Sequence, residues 1–443
     1  MTYKRYEKYK DSGVEWVNKV PISWNKSKVA WSFKCIGSGG TPKSSNEQYY
    51  NDGTINWLLT GDLNDGYIIE TSKKVTDVAI KENSTLKEFK ENSIVIAMYG
   101  ATIGKLGITK IRTTTNQACC VMSEPIDTNI RFMYYWFLGN RKEIINLSQG
   151  GGQPNISQSI VKSLLFYKPS LGDQEKIADF LDRKNIEIDN LIQDKENLIE
   201  LLKEQRQAII TESVTKGLDK NVSMKYSGVE WIETIPEHWN VSRLKHIADV
   251  EISNVDKKTV DGEKSVLLCN YTDVYYKNVI NSEIEFMKAT AKDEQITKFT
   301  LKYQDVMITK DSESPLDIGV PAWVGEDLNG VLCGYHMAHI RCRSNALGKY
   351  IYYSMLANGI RDQYYSTANG VTRFGLGKDS IRNSIFFIPN MKEQEEIINY
   401  LDKKTIEIDS LISDVKVGIN NLKDYKQSLI SEVVTGKINI LGE

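Results

Sequence analysis

Long stretches of this chain occur twice, and the duplication constrains its architecture more than any single motif. Residues 169–219, opening PSLGDQEKIADFLD, match residues 389–439, opening PNMKEQEEIINYLD, at about 22 of 51 positions. A shorter phrase, DSGVEWVNKVPISWN at 11–25, returns as YSGVEWIETIPEHWN at 226–240. With its Gly, two Trp and fixed Pro, the phrase reads as a loop-rich packing element. The segments between, 26–168 and 241–388, differ in length by only about five residues. The chain is therefore phrase, variable block and helix, written twice.

The helical assignment rests on periodicity. Ile177, Leu181, Ile188, Leu191, Leu198, Leu202 and Ile209 follow spacings of three and four, and Ile397, Leu401, Ile408, Leu411, Val415, Leu422 and Leu429 repeat them. Ser170 with Asp173, and Asn390 with Glu393, supply starts, while Gly217 and Gly436 supply stops. Lys184 and Lys404 fall on the seam, where a polar residue costs stability but fixes register. About 44 residues span roughly 66 Å, far beyond an average helix. One such helix can lie along its own domain as an amphipathic surface element, but its cheapest partner is the other copy, which the topology makes antiparallel.

The variable blocks read as short β-rich runs between turns: 54–63, 92–108, 114–122 and 163–169, then 264–274, 304–324, 332–342 and 383–389. Their order is shared although their letters are not. The expected fold class is α+β, with two β-rich domains joined by two long antiparallel helices and an internal pseudo-twofold repeat. The expected bounds are 1–168, 169–219, 220–388 and 389–443. Residues 171–217 and 391–437 together carry a charge of about −6, so a net −2 leaves about +4 on the rest, which permits a polyanionic partner for the blocks.

Several function classes lose support. No run of 18 apolar residues spans a bilayer, and the N-terminal stretch lacks the apolar core of a secretory signal. Six scattered Cys read as reduced thiols, which with the missing signal predicts a cytoplasmic protein. GATIGKL at 100–106 lacks the spacing and the Ser or Thr of a P-loop. GSGGTP at 37–42 lacks dinucleotide spacing and reads instead as a turn with backbone open to phosphate. Cys333, His336, His339 and Cys342 suggest zinc, but in one strand they alternate between faces. Glu393, Glu395 and Glu396 sit in a first helical turn, where carboxylates favour the dipole. No catalytic, cofactor or metal residue is assigned to this chain.

The order SGVEW, GGTP (39–42), GGGQPNIS (150–157), then DQEKIADFLD and its echo EQEEIINYLD resembles the DNA-specificity subunit of type I restriction-modification systems over the whole chain. The resemblance implies that each block is a target-recognition domain and that the helices form a spacer docking two methyltransferase subunits. It also implies S-adenosylmethionine, ATP and Mg on partner subunits, adenine methylation, and restriction subunits that translocate and cut DNA. No aromatic-flanked Asn-Pro-Pro segment of an adenine methyltransferase occurs here, so the base chemistry belongs to a partner. Two readers on one rod should recognise two half-sites of double-stranded DNA about one helical turn, roughly 34 Å, apart.

Readers are sought among polar residues in loops between strands, where Asn and Gln suit adenine, Arg and Lys suit guanine, and hydroxyls hold phosphate. The first block offers Thr41, Lys43, Thr60, Tyr99, Lys105, Asn116, Gln117 and Gln153. The second offers Asn270, Tyr271, Lys310, Ser312, Tyr335, His336 and Arg373. Each also fits a solvated loop or a local hydrogen bond. Two rival readings remain: a stand-alone nuclease or methylase, and a structural rod joining two β domains that do not bind DNA.

Overall fold

The computed structural model describes residues 3–148 and 154–441. Its contacts form two compact units, Met1–Lys195 with Val417–Glu443, and Glu196–Lys416. The division passes through both long helices, Leu171–Lys216 and Met391–Val434. Each unit therefore holds the start of one helix and the end of the other. Ser170 Oγ accepts the Asp173 N–H (3.2 Å), and Asn390 Oδ1 accepts that of Glu393 (3.0 Å). Gly217 and Gly436 end the helices at φ 77° and 71°, where glycine is unstrained.

Within the first unit the two helix segments run antiparallel, and Lys426 Nζ meets Asp189 at 2.7 Å. Within the second, Arg206 Nε meets Asp409 Oδ1 at 3.1 Å. The seam differs from the sequence pattern in its middle. Leu191, Leu198 and Leu411 point to solvent, while Ile192, Ile199 and Ile412 turn inward. Regular steps of four and three pass through Asn185 and Lys195, polar residues that hide the true phase and leave neighbouring leucines to mimic it. Lys184 and Lys404 do not fix the register; each pairs along its own helix, with Glu187 (2.5 Å) and Glu407 (2.9 Å). The polar seam positions are Asn185 and Thr405.

Gly418 lies beside this seam, and a Cβ there would meet only the end of the Lys195 side chain, at 3.5 Å. Gly418→Ala should therefore stabilise the helix by about 1 kcal/mol, read as a higher urea midpoint. A lower midpoint would show that Lys195 needs the space.

The repeated phrase is a β-hairpin rather than a loop. Strands Tyr9–Val14 and Val17–Pro21 pair, as do Met224–Val229 and Ile232–Pro236, each pair with a register shift at SGVEW. Ser12 takes up the irregularity by bonding to Val14 N–H and Val17 O, and Ser227 bonds likewise to Val229 and Ile232. Lys10 and Lys225 each donate to the carbonyl of the second Trp of the phrase, Trp24 or Trp239, at 2.6 Å. Those indoles are fully buried and pack on the glycines that end the long helices: Trp24 on Gly436, Trp239 on Gly217. The phrase thus seals a helix end in each unit.

The blocks share the topology of their larger sheet. In the first, a five-stranded sheet is ordered Phe33–Gly37, Cys119–Pro125, Ile94–Ala97, Leu106–Thr109, Gly66–Ile68; in the second, Ala248–Ile252, Met337–Cys342, Val306–Thr309, Pro321–Val324, Val279–Ile280. Both have three antiparallel pairings and then one parallel. A smaller sheet follows in each, around Ile55–Leu58 and Lys264–Cys269. Helices intervene where β-rich text gave no warning, notably Ile130–Gly139 and Gly348–Leu356. The second unit's 264–274 run ends as a helix, Tyr271–Tyr276.

Each block is fastened to its long helix by the same latch. Asp182 receives Arg131 Nη1 (2.6 Å) and Tyr135 Oη (2.5 Å); Asp402 receives Lys349 Nζ (2.6 Å) and Tyr353 Oη (2.7 Å). Gln174 and Gln394, both buried, bond only to backbone: Gln174 to Pro169 O (3.1 Å) and Asn129 N–H (2.8 Å), Gln394 to Pro389 O (3.0 Å), Asn345 O (3.2 Å) and Leu347 N–H (2.8 Å).

Candidate nucleic-acid interface

In the first unit, strands Phe33–Gly37, Ile55–Leu58 and Ile94–Ala97 end where Cys119–Pro125 and Leu106–Thr109 begin. Seven of the eight residues singled out in this block lie in the turns there, and the eighth, Gln153, falls outside the described residues. Thr41 Oγ1 donates to Gln117 Oε1 at 2.6 Å, both exposed, and Lys43 follows on the surface. Asn116 N–H bonds to Leu58 O (3.2 Å), next to the turn that carries Thr60. Asn116 Oδ1 accepts the Ala118 N–H (3.1 Å), so that acceptor is already used. Tyr99 bridges to Asn155, and Lys105 is exposed, its carbonyl accepting the Ala97 N–H (2.9 Å).

The GSGGTP turn is not open to phosphate. Gly39 and Gly40 are buried, and the Gly39 N–H is taken by Thr115 Oγ1 (2.9 Å). A Cβ on Gly39 would fall 1.9 Å from Thr115 O, so these glycines serve close packing. GATIGKL is the turn between two antiparallel strands, with no helix for a nucleotide phosphate.

The second unit gathers its candidates more tightly. The 332–342 run is two strands, Leu328–Cys333 and Met337–Cys342, split by a turn that holds His336 at φ 69°. Tyr335 is exposed and its ring lies 3.7 Å from that of His336. Asp311 sits between His336 Nδ1 and Lys310 Nζ, the latter at 3.0 Å. Burial opposes charge on Asp311, but the hydrogen bonds from Lys310 and His336 outweigh it and hold the carboxyl below its ordinary range. Asp311 and Ser312 pair with Gly375 and Phe374, which brings Arg373, exposed, to the same face. Asn270 caps the helix of Tyr271, which stacks on Tyr275 (5.7 Å, 17°). Helix Tyr271–Tyr276 packs on strands Val306–Thr309 and Pro321–Val324.

The polar turn residues singled out from the sequence do not include Asp311, a carboxylate, or Tyr276, 75% exposed at the end of YTDVYY. A run of tyrosines beside a turn was the available signal for the second.

Below this face lies a buried knot. Asp305 accepts from Arg341 Nε (2.8 Å), Arg341 Nη2 (2.6 Å) and the Lys302 N–H (2.8 Å), and pairs with His339 Nε2 (2.8 Å). Its side chain is 2% exposed. Burial opposes its charge, yet Arg341 and His339 hold the carboxyl below the usual range. Three of the four residues that suggested zinc are thus engaged separately: His336 with Asp311, His339 with Asp305, Cys333 through Sγ to Gly334 O (3.7 Å). Burial pushes the Cys342 thiol up to about 12, as it does Cys119 and Cys120, and all six cysteines are free.

Comparison with known proteins identifies a family. Residues 21–201 and 236–419 match the model for the type I restriction modification DNA specificity domain. The chain is 21% identical over 433 residues to the type I restriction enzyme MjaVIII specificity subunit of Methanocaldococcus jannaschii, covering 95% of this chain and 94% of that one. It is 22% identical over 339 residues to the EcoBI specificity subunit of Escherichia coli, covering 73% and 69%. Two solved structures share the fold. A chain from work on the assembly and conformational transition of the type I R-M system gives a TM-score of 0.70 at 12% identity, covering 95% and 99%. The HsdS subunit from Thermoanaerobacter tengcongensis gives 0.57 at 13%, covering 95% and 98%.

Proposed function

From the premise that this chain belongs to the type I restriction modification DNA specificity family, we propose that its two units each read one half-site of a split duplex DNA sequence. The observation that carries this reading is one sheet topology built twice with two unlike polar faces, the arrangement expected when a scaffold is kept and its loops select targets. The first face is Thr41, Lys43, Thr60, Tyr99, Lys105, Asn116 and Gln117, with Gln153 added from sequence. The second is Asn270, Tyr271, Lys310, Ser312, Tyr335, His336 and Arg373. The readers occupy 1–168 and 220–388, and the helices 169–219 and 389–443 set the gap between half-sites.

The chain is the non-catalytic member of its complex. Two methyltransferase subunits dock on the helices, one per copy. In support, equivalent apolar residues stay exposed in both: Leu171 and Met391, Ile186 and Ile406, Leu191 and Leu411. A stripe exposed twice at the same places fits a partner present twice. Those partners hold S-adenosylmethionine, restriction subunits supply ATP- and Mg-dependent cleavage, and the complex works in the cytoplasm.

The test is methylation mapping. Expressed with its methyltransferase in a host without adenine methylation, the chain should produce modified adenine in two short motifs at a fixed unspecified gap. A continuous motif would break the two-reader proposal, and an assembled complex that methylates nothing would favour a rod with no DNA role.

A further inference from the structure

We infer that Val371 is a specificity-determining residue that reads the 5-methyl group of a thymine, an inference that rests on the DNA-reading role proposed above. Residues 369–375 form a closed finger. Asn369 N–H donates to Gly375 O (3.1 Å), and Gly375 N–H donates back to Asn369 O (2.9 Å). The root is pinned twice more: Phe374 and Gly375 pair with Ser312 and Asp311, and buried Leu376 gives its N–H to Lys310 O at 2.7 Å. The turn itself is tight. Gly370 has φ 149°, and a Cβ there would lie 1.9 Å from Arg373 O, so only glycine fits.

Val371, Thr372 and Arg373 project from this fixed root, all exposed. A solitary apolar residue on a surface is ordinary; the setting of this one is not. Val371 is 92% exposed, the most exposed large hydrophobic residue among those described. Hairpin tips favour Gly, Asn, Asp or Ser, and a stiff β-branched side chain in open solvent gains nothing from its own fold. Two residues on, Arg373 carries the fork that pairs with guanine O6 and N7. The apolar feature that a major groove offers beside those acceptors is the thymine methyl. A rigid finger bearing both side chains therefore matches a groove edge where a thymine lies within a step or two of a guanine. The first copy spells Gly150, Gly151, Gly152 and Gln153 at the matching positions, so methyl reading at this place belongs to one half-site only.

The experiment uses the complex of this chain with its methyltransferase and the recognition sequence obtained by mapping. Each thymine of both half-sites is replaced in turn by uracil, which removes the methyl and leaves base pairing intact, and binding is measured for wild type and Val371→Ala. In wild type, one uracil should weaken binding by about three- to tenfold. In Val371→Ala, the same uracil should cost less than about twofold, with every other position unchanged between the two proteins. Matching losses in both proteins at all positions, no loss at any position, or a recognition sequence without thymine in either half-site would overturn the inference. A complex that prefers no sequence would instead refute the DNA-reading proposal, so the two failures are distinct.

Discussion

Asp305→Ala should destabilise the second unit by about 3–5 kcal/mol, because removing one partner of a buried ion pair strands the others. Arg341 would lose both carboxylate bonds, His339 its partner, and the Lys302 N–H its acceptor. The knot lies at the far end of the two strands whose near ends lead into Lys310–Ser312 and Tyr335–His336, so its loss should also loosen the candidate face. Urea unfolding of the variant measures the effect; a change under about 1 kcal/mol would show that the network contributes little. The pH dependence has a definite sign. The folded carboxyl titrates below its ordinary range, so its contribution is complete above the unfolded value near 4 and fades as pH falls through the lower folded value. Asp305→Asn should remove that part of the acid sensitivity, seen as a shallower loss of stability below about pH 4.

Arg373→Ala should abolish the preference at one base position in one half-site, a loss of about 10- to 100-fold in discrimination if the guanidinium pairs with guanine. Competition binding against single-base variants of the mapped site reads this directly. Equal weakening on all sequences, with a smaller salt slope, would assign Arg373 to phosphate instead. Unchanged binding would remove it from the interface.

The duplicated layout was legible because repetition needs no structure to be seen, and the long helices because their apolar spacing persists for more than forty residues. The phase of the seam was not. Asn185 and Lys195 occupy inward positions, and a pattern sought in apolar letters moved to Leu191 and Leu198, which face water. The phrase was misread for a related reason: its hairpin depends on a serine bonding into a bulge and on a tryptophan buried against a glycine about 20 or 400 residues away in sequence, neither of which has a local period. Candidate readers were found as polar letters in turns, and the fold brought those of the second block together by strand pairings that sequence spacing does not encode. The acid that organises them, Asp311, carries the charge that such a search discards.

The glutamine latch has a consequence for inheritance. Gln174 and Gln394 grip their blocks only through main-chain carbonyl and amide groups, which every residue but proline presents alike. A fastening that is blind to side chains accepts almost any sequence at the gripped positions. Foreign reader segments spliced in between phrase and helix would keep this glutamine grip whatever their letters, and would need only a cation and a tyrosine four residues apart to meet Asp182 or Asp402 as the native blocks do.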